Sequence, residues 1–426
     1  MVYAVHLNFY DRSQPVGCRK DEIMENTTTK SEYLINIGVI GMGNCGGQMA
    51  DKACGELGID AIAINASTKD LGMLQSDEIM AITIGDGKGT GKNRETAAEF
   101  LLNQITMLHD NAIEQFIEQH DAIFIVSSMG GGFGSGSSLV LADVLSKMTD
   151  GGKVIIPVGV MPFESEGYTA QDHAVDWMRE VVYEMEMPYI IYDNSKFLAT
   201  KGVEASQRLV NEEFVMNLRA IRGDFAFNTT SGGIDNRDML TAISVPGRIV
   251  TATTFFSDPS QLIDESITKT MEKYIRESSA HAALADDKAI KVSAYMFGLN
   301  SDFKPYTTNL KTEAQEIFGA HINDYDNFSF NHDDDGVNVV SIILSGLSVP
   351  ALRVNKLIGL RDQLETEIAK KEEEQNTNRA KSKLAASSSK GKLKINAKKF
   401  ASENVGTPKK NTSDFLADYM AKRTGQ

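Results

Sequence analysis

The feature that most constrains this chain is the stretch Gly130–Gly136 (GGGFGSG). It stands between the apolar run Asp121–Ser127 (DAIFIVS) and a helical pattern through Leu139–Met148. A flexible linker does not interrupt a buried strand and the helix that follows it. Glycine lets a backbone approach an anion closely, and the helix beyond presents free N–H groups. The reading is strand, phosphate-wrapping loop, helix.

The same rhythm recurs on both sides. Ile35–Ile40 (INIGVI) ends at Gly41, Asp60–Ile64 ends at Asn65, and Met80–Ile84 runs into the glycine-rich Gly85–Gly91. Helical patterning covers Arg94 to Gln119, and Lys153–Val160 and Pro188–Tyr192 read as further strands. Continuous apolar strands alternating with amphipathic helices predict an α/β fold with a Rossmann-like parallel sheet covered on both faces. Ligands of such sheets sit beyond the carboxyl ends of the strands, where these loops converge.

A long helix is expected over Val203–Ala226, then a second α+β unit over 240–348. That unit should have strands near Lys291–Met296 and Val337–Leu344, and helices near Ser260–Glu277 and Leu310–Phe318. A charged amphipathic helix comes next, from Val354 to Glu374. Residues 376–412, rich in Ser, Lys, Asn and Ala, are expected to be disordered. Ser413–Arg423 reads as a short helix able to lay Phe415, Leu416 and Tyr419 into a partner's groove. The division is an N-terminal extension (1–32, with a short helix near 22–28), a nucleotide-binding domain (33–202), a central helix (203–230), a second domain (231–353), a C-terminal helix (354–375) and a flexible basic tail (376–426).

Charge separates tail from body. From Arg379 to Gln426 the chain carries 12 Lys and Arg against 3 Asp and Glu, so the net −15 of the whole combines a +9 tail with a −24 body. Such a tail seeks an acidic partner, and lysines without interleaved aromatics offer DNA only non-specific contact. A solvated tail, or one that bundles neighbouring copies, remains an alternative. No run reaches the ~18 apolar residues of a membrane span. Three cysteines (Cys18, Cys45, Cys54) without CxxC spacing suit a reducing, cytoplasmic setting with no membrane partner.

Three motifs compete for attention. Gly41-Met42-Gly43-Asn44-Cys45-Gly46 satisfies G-x-G-x-x-G, the fingerprint of an NAD-dependent oxidoreductase. Its second strand should then end in Asp or Glu, and here it ends in Asn65. Gly85–Asn93 mimics a Walker A loop, but Asp86 stands at the first glycine and Asn93 replaces the magnesium-binding Ser or Thr. Asp333–Asp335 lacks the closing Glu of a calcium loop.

The order of loops resembles the tubulin/FtsZ superfamily of filament-forming GTPases, most nearly the TubZ proteins of plasmids and phages, over residues 34–375. The signature GGGTG[ST]G is matched by Gly130, Gly131, Gly132, Gly134, Ser135 and Gly136, with Phe133 in place of threonine. Gly41–Gly47 is similar to the first phosphate loop, and Gly89-Thr90-Gly91-Lys92-Asn93 to the loop over the terminal phosphate. The resemblance implies that Glu166 (in PFESEG) binds ribose and that Asn194 and Asn211 read guanine. It lacks the arginine expected at Ala170. Ile234-Asp235-Asn236-Arg237-Asp238-Met239 resembles the loop that enters the neighbour's nucleotide site, where Asp235 and Asp238 would position the attacking water; the plain alternative is a helix start with favourable acids. Val339–Val354, the charged helix and the basic tail are similar to the TubZ carboxyl end, which packs on the body or the next subunit and engages a DNA-bound adaptor. The resemblance as a whole implies a GTPase with GTP/GDP, Mg2+ held mainly through phosphates and water, a head-to-tail homopolymer, and a role in plasmid or phage DNA segregation. A non-hydrolysing nucleotide-binding scaffold, suggested by Phe133 and Ala170, is the other alternative.

Overall fold

A computed structural model describes residues 33–108, 113–225, 233–279, 292–318, 326–331 and 338–388. The expected helices near 22–28 and 413–423, the acidic turn at 333–335 and the tail beyond 388 lie outside those residues.

Alternation of side chains along two central strands sets the layers. In β1 (Ile37–Met42) and β4 (Ala122–Ser128), Val39, Phe124 and Val126 face one core, while Ile40, Met42, Ile123 and Ile125 face the other. The strands are apolar on both faces because helices cover both. The first core takes α1 (Gly43–Leu57); the second takes α2 (Arg94–Leu108), α3 (Glu114–Gln119) and α4 (Phe133–Met148). The helix expected over 94–119 is thus two helices, with 109–112 outside the described residues.

Parallel pairing links β3 (Met80–Thr83), β2 (Ala61–Asn65), β1, β4, β5 (Val154–Met161) and β6 (Pro188–Asp193), in that spatial order. The sheet then continues through β7 (Gly247–Phe256), β10 (Asn338–Leu347), β8 (Val292–Gly298) and β9 (Asp326–Asn331), giving ten strands among the described residues. β6 and β7 meet at only two register positions, Pro188 with Gly247 and Tyr189 with Arg248. Beyond this seam β10 runs antiparallel to both β7 and β8. Sequence reading missed β7 and β9; Asp326–Asn331 (DNFSFN) has too little apolar character to announce a strand.

α5 (Tyr168–Arg179) runs into one π-turn over Glu180–Glu184. α6 (Val203–Arg222) packs on α1 and on β7 and β10, so it crosses the seam. One core accordingly holds β1 residues together with Ile249, Met296, Val339 and Ile343 from beyond the seam. α7 (Asn236–Ser244), α8 (Ile267–Glu277) and α9 (Leu310–Phe318) complete the second half. α8 is shorter than the helix expected from Ser260, where a separate 3-10 turn covers Pro259–Gln261. α10 (Ala351–Ser388) is longer than expected: the helix continues past 376, through the first residues of the supposed disordered tail. Ala, Lys, Arg and Leu in that stretch favour helix.

Candidate functional site

At the carboxyl edge, strand passes into helix almost without a loop. β1 ends at Met42 and α1 starts at Gly43, whose φ of +74° suits glycine. The stretch Gly130–Gly136 divides between a turn and helix, because Phe133 to Gly136 already form the first turn of α4. That corrects the expectation of a seven-residue loop followed by a helix near 139. Most of its glycines are required by packing between backbones. A Cβ on Gly134 would stand 2.6 Å from the Met42 carbonyl oxygen, one on Gly132 would stand 2.4 Å from Lys92 Cα, and one on Gly136 would stand 2.3 Å from the Arg94 carbonyl oxygen. Gly131 is the exception, with nothing closer than Ser128 Cβ at 3.9 Å. Gly130–Gly136 therefore touches both of the other glycine-rich segments, as their convergence predicts.

The third segment is fastened by side chains that sequence reading did not find. Asn93, which replaces a metal-binding hydroxyl in the Walker-like run, accepts the Thr96 N–H at 2.8 Å and caps α2. Lys92 beside it has φ +63° and is exposed. Gly89 donates its N–H to the Ala66 carbonyl at 2.6 Å, and Thr90 accepts the Asn93 N–H on its carbonyl at 3.0 Å. Arg94 is buried and donates to the Ser135 carbonyl at 3.0 Å and to both Glu180 carboxylate oxygens at 3.0 and 3.1 Å, with Asp176 at 3.4 Å. Burial pushes the Glu180 carboxyl upward while Arg94 pulls it back. Partners 86 residues apart left no local signal.

A second clamp acts on the signature turn. The Gly131 carbonyl accepts the Ser135 hydroxyl and, at 3.0 Å, His173 Nδ1, which must carry the proton to donate. In a trans peptide the C=O of Gly131 and the N–H of Gly132 point to opposite sides. Holding the carbonyl toward α5 therefore aims the Gly132 N–H away from it, and the first-turn N–H groups of α4 have no intrahelical acceptor. Ala170, where the resemblance expects arginine, is buried against Gly130; a Cβ on Gly130 would lie 3.1 Å from Ala170 Cβ. His173, one turn along α5, makes the contact with the signature turn instead. Burial, with Arg94 nearby, lowers the His173 pKa from 6.5 and keeps the ring neutral at pH 7.

Phe133 is accounted for by the core. Its ring is 6% exposed and belongs to the α2–α4 face of the sheet with Ile64, Ile84 and Leu141, so it fills space beneath the turn. Glu166 accepts the Phe163 N–H at 2.9 Å and lies close enough to Cys45 to raise that thiol, which burial mainly pushes up to about 12. The first segment and the PFESEG turn are thus neighbours, and Cys45 stays a neutral, small residue among Asn44, Gly46 and Gly47. Asn194 follows β6; its N–H reaches the Met161 carbonyl at 3.5 Å and its carbonyl accepts Ser206 Oγ at 2.5 Å. Asn211 is partly buried on α6, about a turn and a half past Ser206. Asn65 is buried and engaged locally, accepting the Ser67 N–H at 3.1 Å and donating to Asp70 at 3.3 Å.

Asp235 and Asp238 stand elsewhere. Asp235 Oδ1 accepts the Asp238 N–H at 2.9 Å, and Asp238 Oδ2 accepts the Asp235 N–H at 3.1 Å. This is a reciprocal capping box at the start of α7, and the acids carry the helix-start role weighed against catalysis. Asn236 next to them donates to the Leu34 carbonyl at 2.6 Å, ahead of β1. The pair therefore sits at the amino edge of the sheet. Six residues of β1 put about 20 Å between that edge and the glycine-rich segments. α6 gives an independent ruler of about 24 Å, from Ser206 beside Asn194 to Arg222, whose carbonyl accepts the Leu34 N–H. Within one chain the acids do not reach the loops. Asp235 is exposed, and Asp238 is partly so.

Residues 36–201 match the family model described as Tubulin/FtsZ family, GTPase domain. Among curated proteins, a Cell division protein FtsZ 2 of Methanocaldococcus jannaschii is 29% identical over 189 residues, covering 42% of this chain and 47% of that protein. The chain spans about half the length of the curated relatives it matches, CetZ and FtsZ proteins among them. Among solved structures, TubZ of Clostridium botulinum phage c-st aligns with a TM-score of 0.60 and 18% identity, covering 78% of this chain and 99% of that one. CetZ2 of Haloferax volcanii, a GTPγS-bound protofilament, aligns with a TM-score of 0.62 and 19% identity, covering 79% and 99%. The fold is tubulin-like, and it resembles TubZ and CetZ about equally.

Proposed function

We propose that the chain, whose residues 36–201 match the Tubulin/FtsZ family GTPase domain, binds GTP at the carboxyl edge of its sheet and hydrolyses it when the amino edge of a second copy docks there. One observation carries this reading: the loops and the acids sit at opposite edges of one rigid sheet, too far apart to meet within a chain. A head-to-tail contact brings them together, and a contact of that kind, repeated, makes a filament. Gly130–Gly136, Gly41–Gly46 and 89–92 would receive the phosphates on backbone N–H groups, Glu166 the ribose, and Asn194 with Asn211 the base. The free oxygens of Asp235 and Asp238, each with its other oxygen held in the capping box, would orient water toward the terminal phosphate.

Among the described residues no group of three or more His, Cys, Asp and Glu forms a metal cluster. A Mg2+ would arrive with the nucleotide, held by phosphate oxygens and water. When bound it would screen phosphate charge.

The finer reading is a dynamic filament that segregates or positions plasmid or phage DNA, with the basic tail 379–426 engaging a DNA-bound adaptor or DNA itself. The likeness to phage TubZ supports it. Light scattering with GTP, GDP and a slowly hydrolysed analogue, with phosphate release followed in parallel, tests the whole. Expected are GTP-dependent assembly and a specific activity that rises with protein concentration; turnover per chain independent of concentration would refute hydrolysis between subunits. A shift of labelled DNA that vanishes on removal of 389–426 tests the tail. The scaffold alternative loses its support from Phe133, since that ring turns into the core.

A further inference from the structure

The turn that carries Asn194 is held by the far end of the chain. Arg353, in the first turn of α10, is 6% exposed and donates from Nε to Asp193 Oδ2 at 2.7 Å and from Nη2 to the Pro162 carbonyl at 3.2 Å. Asp193 is 1% exposed, and its other oxygen, Oδ1, accepts the Ser195 N–H at 2.9 Å. One carboxylate thus spans Asn194, tied to α10 on one side and to the next peptide on the other. Burying a charged pair of this kind gives little net stability over an apolar substitute, but it does fix geometry.

A second tether runs in parallel. Lys356 lies 2.7 Å from Glu164, whose N–H donates to Ser195 Oγ at 2.9 Å. Leu357 is fully buried with Trp177, Met178 and Tyr189. Residues 353, 356 and 357 share one face of the helix by their spacing. All three bear on the PFESEG turn, the Asn194 turn or the α5 surface between them. The backbone of Asn194 is pinned by Met161 and Ser206 and by the Asp193 turn, so its side-chain amide is what remains to meet a base.

We propose that Arg353 is a positioning residue for the base-reading turn, which makes the first two turns of α10 a working part of the nucleotide site. The inference rests on the nucleotide reading above and adds that the C-terminal helix and nucleoside affinity are coupled. Coupling of this kind is reciprocal: a bound nucleoside steadies α10 as much as α10 steadies the turn.

The test titrates GTP and ITP, which lacks the guanine amino group, into the full chain and into Arg353→Lys, Arg353→Gln and Lys356→Gln. Hydrogen exchange over 351–360 is followed with and without nucleotide. Arg353→Gln is expected to weaken GTP by about tenfold and to narrow the GTP-over-ITP preference. Arg353→Lys, keeping the charge without the fork, should fall between, and Lys356→Gln should change affinity by less than about threefold. In the unaltered chain GTP should slow exchange over 351–360. A lowered melting midpoint in Arg353→Gln with unchanged GTP affinity and unchanged preference would reduce the pair to a structural role and overturn the proposal. If Arg353→Gln does not fold, GTP saturation of the unaltered chain without slower exchange over 351–360 overturns it instead. An unaltered chain that takes up no GTP sinks the nucleotide reading, and this inference with it.

Discussion

The two edges of the sheet are made by different means. At the carboxyl edge the candidate binding surface is backbone, and segments from three parts of the chain press together so closely that a methyl group at Gly132, Gly134 or Gly136 would strike a neighbouring main chain. Buried pairs stand behind this edge, Arg94 with Glu180 at the glycine-rich segments and Arg353 with Asp193 at the Asn194 turn. At the amino edge the groups of interest are two side chains at a helix start, placed by a capping box, the Asn236–Leu34 contact and the burial of Ile234 and Met239 beside them. Binding and turnover should therefore be separable by mutation.

The most severe break is Gly132→Ala. Its Cβ forces the 92–93 backbone away, and losing one charge-assisted hydrogen bond to phosphate is enough to cost about ten- to a hundredfold in nucleotide affinity. Gly131→Ala is the control, expected to melt within about two degrees of the unaltered chain because its Cβ meets only Ser128. Equal loss of stability in both would show that the edge is not tight where the packing says it is.

Asp238→Ala should leave GTP binding intact, lower turnover by about a hundredfold, and cost about 1 kcal/mol through the lost cap. Mixing it with Gly132→Ala sharpens the comparison. In a random mixture roughly one contact in four joins a working loop to working acids, so phosphate release should exceed the sum of the separate proteins. No recovery, in a mixture shown to co-assemble, would place both elements in the same chain's site.

Arg94→Met probes what lies behind the loops. Removing one partner of a buried pair leaves Glu180 uncompensated, and a loss of about 3–5 kcal/mol is expected in chemical denaturation. A change below about 1 kcal/mol would mean that the signature turn is held by its own packing.

The smallest effect belongs to His173. Its folded pKa is depressed below 6.5 by burial and Arg94, so the unfolded chain takes up the proton first as pH falls. The stability contributed by the neutral ring is complete above pH 6.5 and declines below it. The facing charged groups are Arg94 and Asp172, and Arg94 opposes protonation. Between pH 7.5 and 5.5, His173→Asn should lose a degree or two less in melting midpoint than the unaltered chain; parallel curves would remove His173 from the clamp.

Much of the fold was legible along the chain. β1, β2, β4, β5 and β6 fall within a residue or two of their expected limits, because a strand buried on both faces is a continuous apolar run that ends at a glycine or polar residue. The glycine-rich segments and their order were legible for the same reason. β7 and β9 were not, since Gly247–Phe256 mixes threonines among its apolar residues and β9 is mostly polar. The expected second domain shares a core with the first through α6, which no boundary in the sequence announced. Phe133 looked like damage to a phosphate loop when it was seen only as a letter between glycines.

The sequence by itself determined which residues could meet a phosphate. Glycine at the end of a buried strand, before a helix, is a local matter of backbone freedom and exposed N–H groups. It also placed Asp235 and Asp238 three apart at a helix start. Only the tertiary structure decided that those acids lie an entire sheet away from the loops, and that Arg94, His173 and Arg353 stand behind the site. Ion pairs such as Arg353 with Asp193, 160 residues apart, depend on which helices the sheet brings together, and that is set by the packing of the whole core.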